Sequence, residues 1–223
     1  ARVRYTRIGS YPEFYLAAQT CVVHTRDGRH VTGTFQPVNP AVHVNRKLSD
    51  MKFDDESMEV VLDVVAQEKE DLKKHGIAPG DFISIDPRTT VTETGFIKSR
   101  HLDDKASAAV LLTLASLVSS GGLDPGRKVY LLFTTYEEVG HGGSSGLPQD
   151  VEEVISVDMG AVGDDLTADE RMVSICAKDS GGPYDYTVTS ALIAAAKESG
   201  ASYAVDIYPL YGSDVEEIGR AHV

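Results

Sequence analysis

The run RKVYLLFTTYEE, residues 127–138, constrains the fold of this chain more than any other stretch. Its middle, VYLLF at 129–133, is continuously apolar, the pattern of a strand covered on both sheet faces. A second run of this kind, VEEVISVDMGA, follows at 151–161, and SYAVDIYPLYGSD at 202–214 reads as a third strand. Between and before them lie two helical patterns. LDDKASAAVLLTLASLVSSGG is a long apolar helix stopped by glycines, and YTVTSALIAAAKESG is a helix stopped at Gly200. Helix and strand alternate, so residues 91–223 are expected to form an α/β layer of helices on a mixed, largely parallel sheet.

Residues 1–90 have a different texture. ARVRYTRIG, TCVVHTRDGRHVTGTF and AVHV mix β-branched and aromatic residues with short breaks. The Asp27–Gly28 step predicts a tight hairpin, because it accepts positive φ. SMEVVLDVVA predicts a strand by its alternation. AQEKEDLKKHG predicts a helix, with acids ahead of bases and a stop at Gly76. APGDFISIDP reads as a turn, a strand and a breaker. The first part is therefore expected to be a small β-rich domain.

Composition excludes some partners. The net charge is −13 with no Lys/Arg-rich run, which argues against nucleic acid and against an anionic membrane surface. No apolar stretch reaches transmembrane length; ASAAVLLTLASLVSS suits a buried helix. Nothing at the start reads as a signal peptide. Cys21 and Cys176 lack metal-ligand spacing and read as reduced core residues of a cytoplasmic protein, with a single disulfide as the other reading.

Three acidic points fall at element boundaries. Glu137 and Glu138 end the first apolar run, Asp158 ends the second, and Asp103 and Asp104 open the long helix. Open α/β sheets gather functional groups at the carboxyl ends of their strands. Singly, each point has a plain reading: a helix N-cap for Asp-Asp, a turn for Asp158, a solvated pair for Glu-Glu. Together they ask for a counter-charge, since burying so many carboxylates without one costs several kcal/mol each. Divalent metal supplies it, and a two-metal site both activates a water and steadies a leaving oxygen.

The order SRHLDDKASAAVLL, TTYEEVGHGGSSG and ISVDMGA resembles the M42 family of metallo-aminopeptidases, the tetrahedral and glutamyl aminopeptidase group. YTRIG and GTFQPVNPAVHV are similar to the β-rich domain which that family inserts in its catalytic domain. GIAPGDFISID is similar to the segment leading back to the catalytic sheet. The resemblance implies a zinc-exopeptidase-like fold with an inserted dimerisation domain at 1–90 and part of the catalytic domain at 91–223. It implies that Asp103 bridges two metals, that Glu138 and Asp158 each bind one, and that Glu137 is the general base. Asp104 takes the position after an unusual cis peptide. Zinc is the implied metal, with cobalt as the common substitute. Peptides are the implied substrates, losing their N-terminal amino acids, and the implied assembly is of dimers built into a dodecamer.

The family also uses one histidine before the inserted domain and another near the carboxyl end. None of the seven histidines matches either position, so the chain reads as incomplete at both ends. His101 and His141 flank the carboxylates and are expected beside the metals or the substrate rather than on the metals. His24 and His43 belong to the β-rich domain, and His222 reads as an incidental terminal residue. SICAKDSGGPYDY, at 174–186, is expected to line the pocket. Two other readings stay open: a non-catalytic assembly protein that keeps the fold without the missing ligands, and another zinc exopeptidase or deacylase. A glycosidase fits less well, because two facing carboxyls suffice for that chemistry and more are present.

Overall fold

The structure, a computed structural model, describes residues 1–217. It divides into two compact units, Ala1–Arg100 and the residues from His101 onward.

The first unit is built on a five-stranded antiparallel sheet. Its strands are β1 (Arg2–Val3), β2 (Thr20–His24), β3 (His30–Pro37), β4 (Met58–Leu62) and β5 (Phe82–Ile85), in the order β1-β4-β3-β2-β5. Burial alternates along β2 and β3, as a sheet with one packed face requires. In β4, by contrast, Met58, Glu59, Val60 and Leu62 are all buried. The carboxylate of Glu59 is neutralised by an ion pair with Arg2. Met58, Val60 and Leu62 join Leu16, Cys21, Val23, Val31, Phe35 and Ile77 in one hydrophobic core. The β2–β3 hairpin turns as expected at Asp27–Gly28, with Gly28 at φ +82° and its N–H donating to Thr25 O at 3.0 Å.

Helix α1 (Lys69–Lys74) follows β4 and confirms the charge pattern. Glu68 and Asp71 form a capping box at its start. Lys73 and Lys74 pair back to Glu70 and Asp71 at 2.8 and 2.7 Å. Gly76 then takes a left-handed φ of +81°. A short hairpin, β6 (Thr90–Val91) and β7 (Ile97–Lys98), closes this unit. The expected strand at AVHV is instead a turn, since two β-branched residues do not make a strand without a partner to pair with.

The second unit contains α2 (Leu102–Ser119), β8 (Val173–Asp179), β9 (Gly182–Pro183), α3 (Tyr186–Ser199), β10 (Tyr203–Ile207) and the short α4 (Asp214–Glu217). Asp185 caps α3 by accepting from the N–H groups of Thr187 and Val188, and Gly200 ends it at φ +70°. β8 pairs with β10 in parallel and with β9 antiparallel, giving a three-stranded mixed sheet. One parallel pair is thus what the described residues hold of the expected parallel sheet.

Residues 127–135 and 151–160, expected as strands, run without regular secondary structure. Side chains link them, through Arg127–Glu153 at 2.6 Å and Lys128–Asp150 at 2.7 Å, but no backbone ladder joins them among the described residues. Leu132, Phe133, Ile155 and Val157 are correspondingly exposed. Apolar patterning states a preference for burial; a strand also needs a neighbour with free N–H and C=O groups.

Candidate metal centre

Helix α2 opens with its two aspartates out of helical geometry. Asp103 lies at φ −79°, ψ 109° and Asp104 at φ −114°, ψ 35°, and the peptide bond between them is cis. Asp104 lies close to Ser107, which lowers its carboxyl pKa and partly offsets the effect of burial. Its Oδ1 is buried with no hydrogen-bond partner.

Asp103, Asp104 and Asp158 converge. Each offers a carboxylate oxygen, and the three oxygens lie within 4.8 Å of one another. Asp158 comes from the irregular segment 151–160, yet both of its oxygens are fixed. Oδ1 accepts from Met159 N at 2.6 Å, and Oδ2 accepts from the Tyr211 hydroxyl at 2.6 Å.

Glu137 and Glu138 lie in a single 3-10 turn, Glu137–Val139, rather than at the end of a strand. Three residues per turn still separate adjacent side chains by roughly 120°. Gly140 ends the turn at φ +79°. Both glutamates stand in the field of the aspartates. Burial raises the Glu137 carboxyl to about 7, with the charges of Asp158, Glu138, Asp214 and Asp103 adding to it. Burial also raises Glu138, helped by Asp158 and Asp104 and opposed by Lys105. Asp103 and Asp104 are raised by burial first and by neighbouring carboxylates second.

The mutual repulsion is a direct consequence of grouping acids without a cation. Hard, all-oxygen donors, one of them a buried oxygen without a hydrogen-bond partner, fit a divalent ion.

Asp214, at the start of α4, packs its carboxylate over the glycines of the next turn. A Cβ on Gly142 would lie 2.6 and 2.7 Å from the Asp214 carboxylate oxygens and 2.8 Å from Glu137 N. Sequence reasoning passed over Asp214, Tyr211 and the participation of Asp104. A tyrosine a few residues past a strand's end carries no signal; an acid just after a strand-like run, as in YGSD, carries a weak one.

The histidines take varied places. His101 precedes α2 at a left-handed φ of 61°. His141 stacks on Tyr136 with ring centroids 4.9 Å apart, and its Nδ1 lies 3.2 Å from Val139 O. His24 sits on β2 against Ser84 Oγ at 2.7 Å, and His43 lies in the 41–44 turn. His222 lies outside the described residues.

The fold is that of the TET aminopeptidases. A TET aminopeptidase from the marine sediment archaeon Thaumarchaeota archaeon SCGC AB-539-E09 superposes with a TM-score of 0.84 at 20% identity, over 97% of this chain and 62% of that one. The aminopeptidase APDkam598 of Desulfurococcus kamchatkensis gives 0.75 at 24% identity, over 97% of this chain and 61% of that one. The chain belongs to the M42 glutamyl aminopeptidase family, which it matches over residues 1–222. A Bacillus subtilis (strain 168) relative named "Putative aminopeptidase YhfE" is 39% identical over 213 residues, 96% of this chain. The chain spans 62% of that relative's length. Among the described residues, no helix is long and apolar enough to cross a membrane.

Proposed function

We propose that this chain carries the carboxylate half of a dinuclear metallo-aminopeptidase site that removes N-terminal amino acids from peptides. The observation that carries this reading is the convergence of Asp103, Asp104 and Asp158 within 4.8 Å beside Glu137 and Glu138, in a member of the M42 family. Asp103, Glu138 and Asp158 are the residues to hold two divalent ions, zinc by default and cobalt as a substitute. Asp103 would be the residue placed to serve both. Divalent metal in such a site polarises the scissile carbonyl and lowers the pKa of the attacking water.

The proton belongs to Glu137. It takes the proton of the attacking water and passes it to the departing amine. A partly buried carboxylate, raised first by its burial, is a better proton acceptor than a free one. Glu138, more exposed and one step round the turn, is free to bind an ion instead.

A solved relative from Pyrococcus horikoshii, the TET1 peptidase, can assemble into a tetrahedron or a large octahedral shell. This supports a homo-oligomer here, with residues 1–90 as the inserted domain through which dimers form on the way to a dodecamer. A chain with two cysteines that lack metal-ligand spacing fits a reducing compartment, the cytoplasm.

The test is made on the intact protein. Metal analysis should give two ions per chain, and peptides should lose residues one at a time from the amino end. A protein without bound metal and without this activity would leave a non-catalytic assembly role in its place.

A further inference from the structure

Tyr211 stands outside every role assigned so far. Its carbonyl accepts from Ser180 N at 2.9 Å and from Ser180 Oγ at 2.6 Å. Two residues on, Ser213 Oγ meets the Tyr184 hydroxyl at 3.3 Å, and that hydroxyl donates to the fully buried Asp179 at 2.5 Å. The Asp179 carboxylate in turn accepts from Gly181 N and Gly182 N at 2.9 and 3.2 Å. The segment 211–213 is thus clamped to the turn between β8 and β9. From that clamp the Tyr211 ring, edge-on to Tyr208 at 5.5 Å, sends its hydroxyl to Asp158 Oδ2 at 2.6 Å.

We infer that Tyr211 is a positioning residue for the metal centre: its hydroxyl holds the Asp158 carboxylate in the orientation that an ion needs. The inference rests on the proposed metal site. An O–H donor on a carboxylate at 2.6 Å is a strong, charge-assisted bond. Met159 N holds the other oxygen, so Asp158 cannot rotate, while each oxygen keeps a lone pair for a ligand. Without the hydroxyl, Asp158 is free to swing from the like charges of Asp103, Glu137 and Glu138. Its segment has no backbone ladder among the described residues to hold it otherwise. Partners of this kind orient a metal's ligands, and their loss costs about 10–100-fold in affinity.

The experiment uses the intact protein, stripped of metal and titrated with zinc alone or cobalt alone. Tyr211→Phe should bind zinc about 10–100-fold more weakly than wild type and change the visible bands of bound cobalt. Tyr208→Phe, which alters the neighbouring ring and no proposed ligand, should match wild type in both readouts. Wild-type protein gives a readout that needs no variant: zinc should perturb the tyrosine absorption band, because it draws on the carboxylate that Tyr211 holds.

Equal zinc affinity and unchanged cobalt bands in Tyr211→Phe would overturn the inference and leave the metal site standing. So would an equal loss in Tyr208→Phe, a flat tyrosine difference spectrum, or a variant that keeps metal and loses only turnover. A wild type that takes up no zinc would instead remove the metal site itself, and this role with it.

Discussion

At the scale of the residue, two adjacent glutamates divide one task. Glu137→Gln keeps size and hydrogen bonding but cannot take a proton. In the intact protein it should retain metal and lose about 10²–10⁴-fold in turnover. Glu138→Gln replaces a charged ligand with a neutral one, so it should lose metal first and regain part of its activity in excess zinc or cobalt. Metal content measured beside hydrolysis of amino-acid p-nitroanilides separates the two. Metal loss in the first variant and not the second would reverse the roles.

Asp206 shows a carboxylate of another kind. It is buried on β10 and accepts from the Thr167 hydroxyl and from the N–H groups of Thr167 and Ala168. The Thr167 hydroxyl bond is foremost in holding its carboxyl below the ordinary range. A depressed native pKa contributes stability above the unfolded value of about 3.9, and this is lost as pH falls through the lower native value. Asp206→Asn should therefore melt a few degrees below wild type at pH 7, with the gap closing in acid below pH ~4. A gap constant with pH would show that the charge is not what matters.

At the scale of the element, legibility followed local chemistry. The turn at Asp27–Gly28, the capped α1 and the Gly200 stop of α3 were readable because each is fixed by residues a few positions apart. The strands expected at 127–138 and 151–161 were not, because a strand is completed by distant backbone. Close approaches between elements are equally hidden from sequence. A Cβ on Gly143 would overlap the carbonyl oxygen of Asp214, backbone against backbone. Gly143→Ala should push α4 off the turn that follows the glutamates, destabilising the protein by about 1–3 kcal/mol in denaturant titration. In the first unit, Met58 is fully buried in β4, and Met58→Ala should cost about 2–5 kcal/mol. A smaller loss would mean that the core around β4 collapses to fill the gap.

At the scale of the whole molecule, the two units differ in how much apolar surface they hide. The first has a core of nine buried residues, including Met58, Val60 and Phe35. In the second, half of the described buried apolar residues are alanines, Ala168, Ala196 and Ala204, while Val110, Leu112, Leu132, Phe133 and Ile155 lie exposed. Exposed apolar surface on this scale marks an interaction face or an aggregation liability. A fragment of residues 1–100 should therefore unfold cooperatively by circular dichroism, and one of residues 101–223 should bind a hydrophobic dye and associate. A non-cooperative first fragment would remove its claim to an independent core.

The sequence by itself determined the turns, the caps, the two long helices and the family, since these rest on local stereochemistry and on motifs at fixed order. It also singled out Asp103, Glu137, Glu138 and Asp158 as acids to watch, though three of them do not lie on the strands expected to carry them. Tertiary structure alone decided that Asp104 joins Asp103 and Asp158, that Tyr211 holds Asp158, and that Asp214 lies over Gly142 and Gly143. Those contacts join residues up to 72 positions apart in a chain whose spacing carries no record of them. A carboxylate's partner is set by where the backbone returns, and that is fixed only when the layers pack.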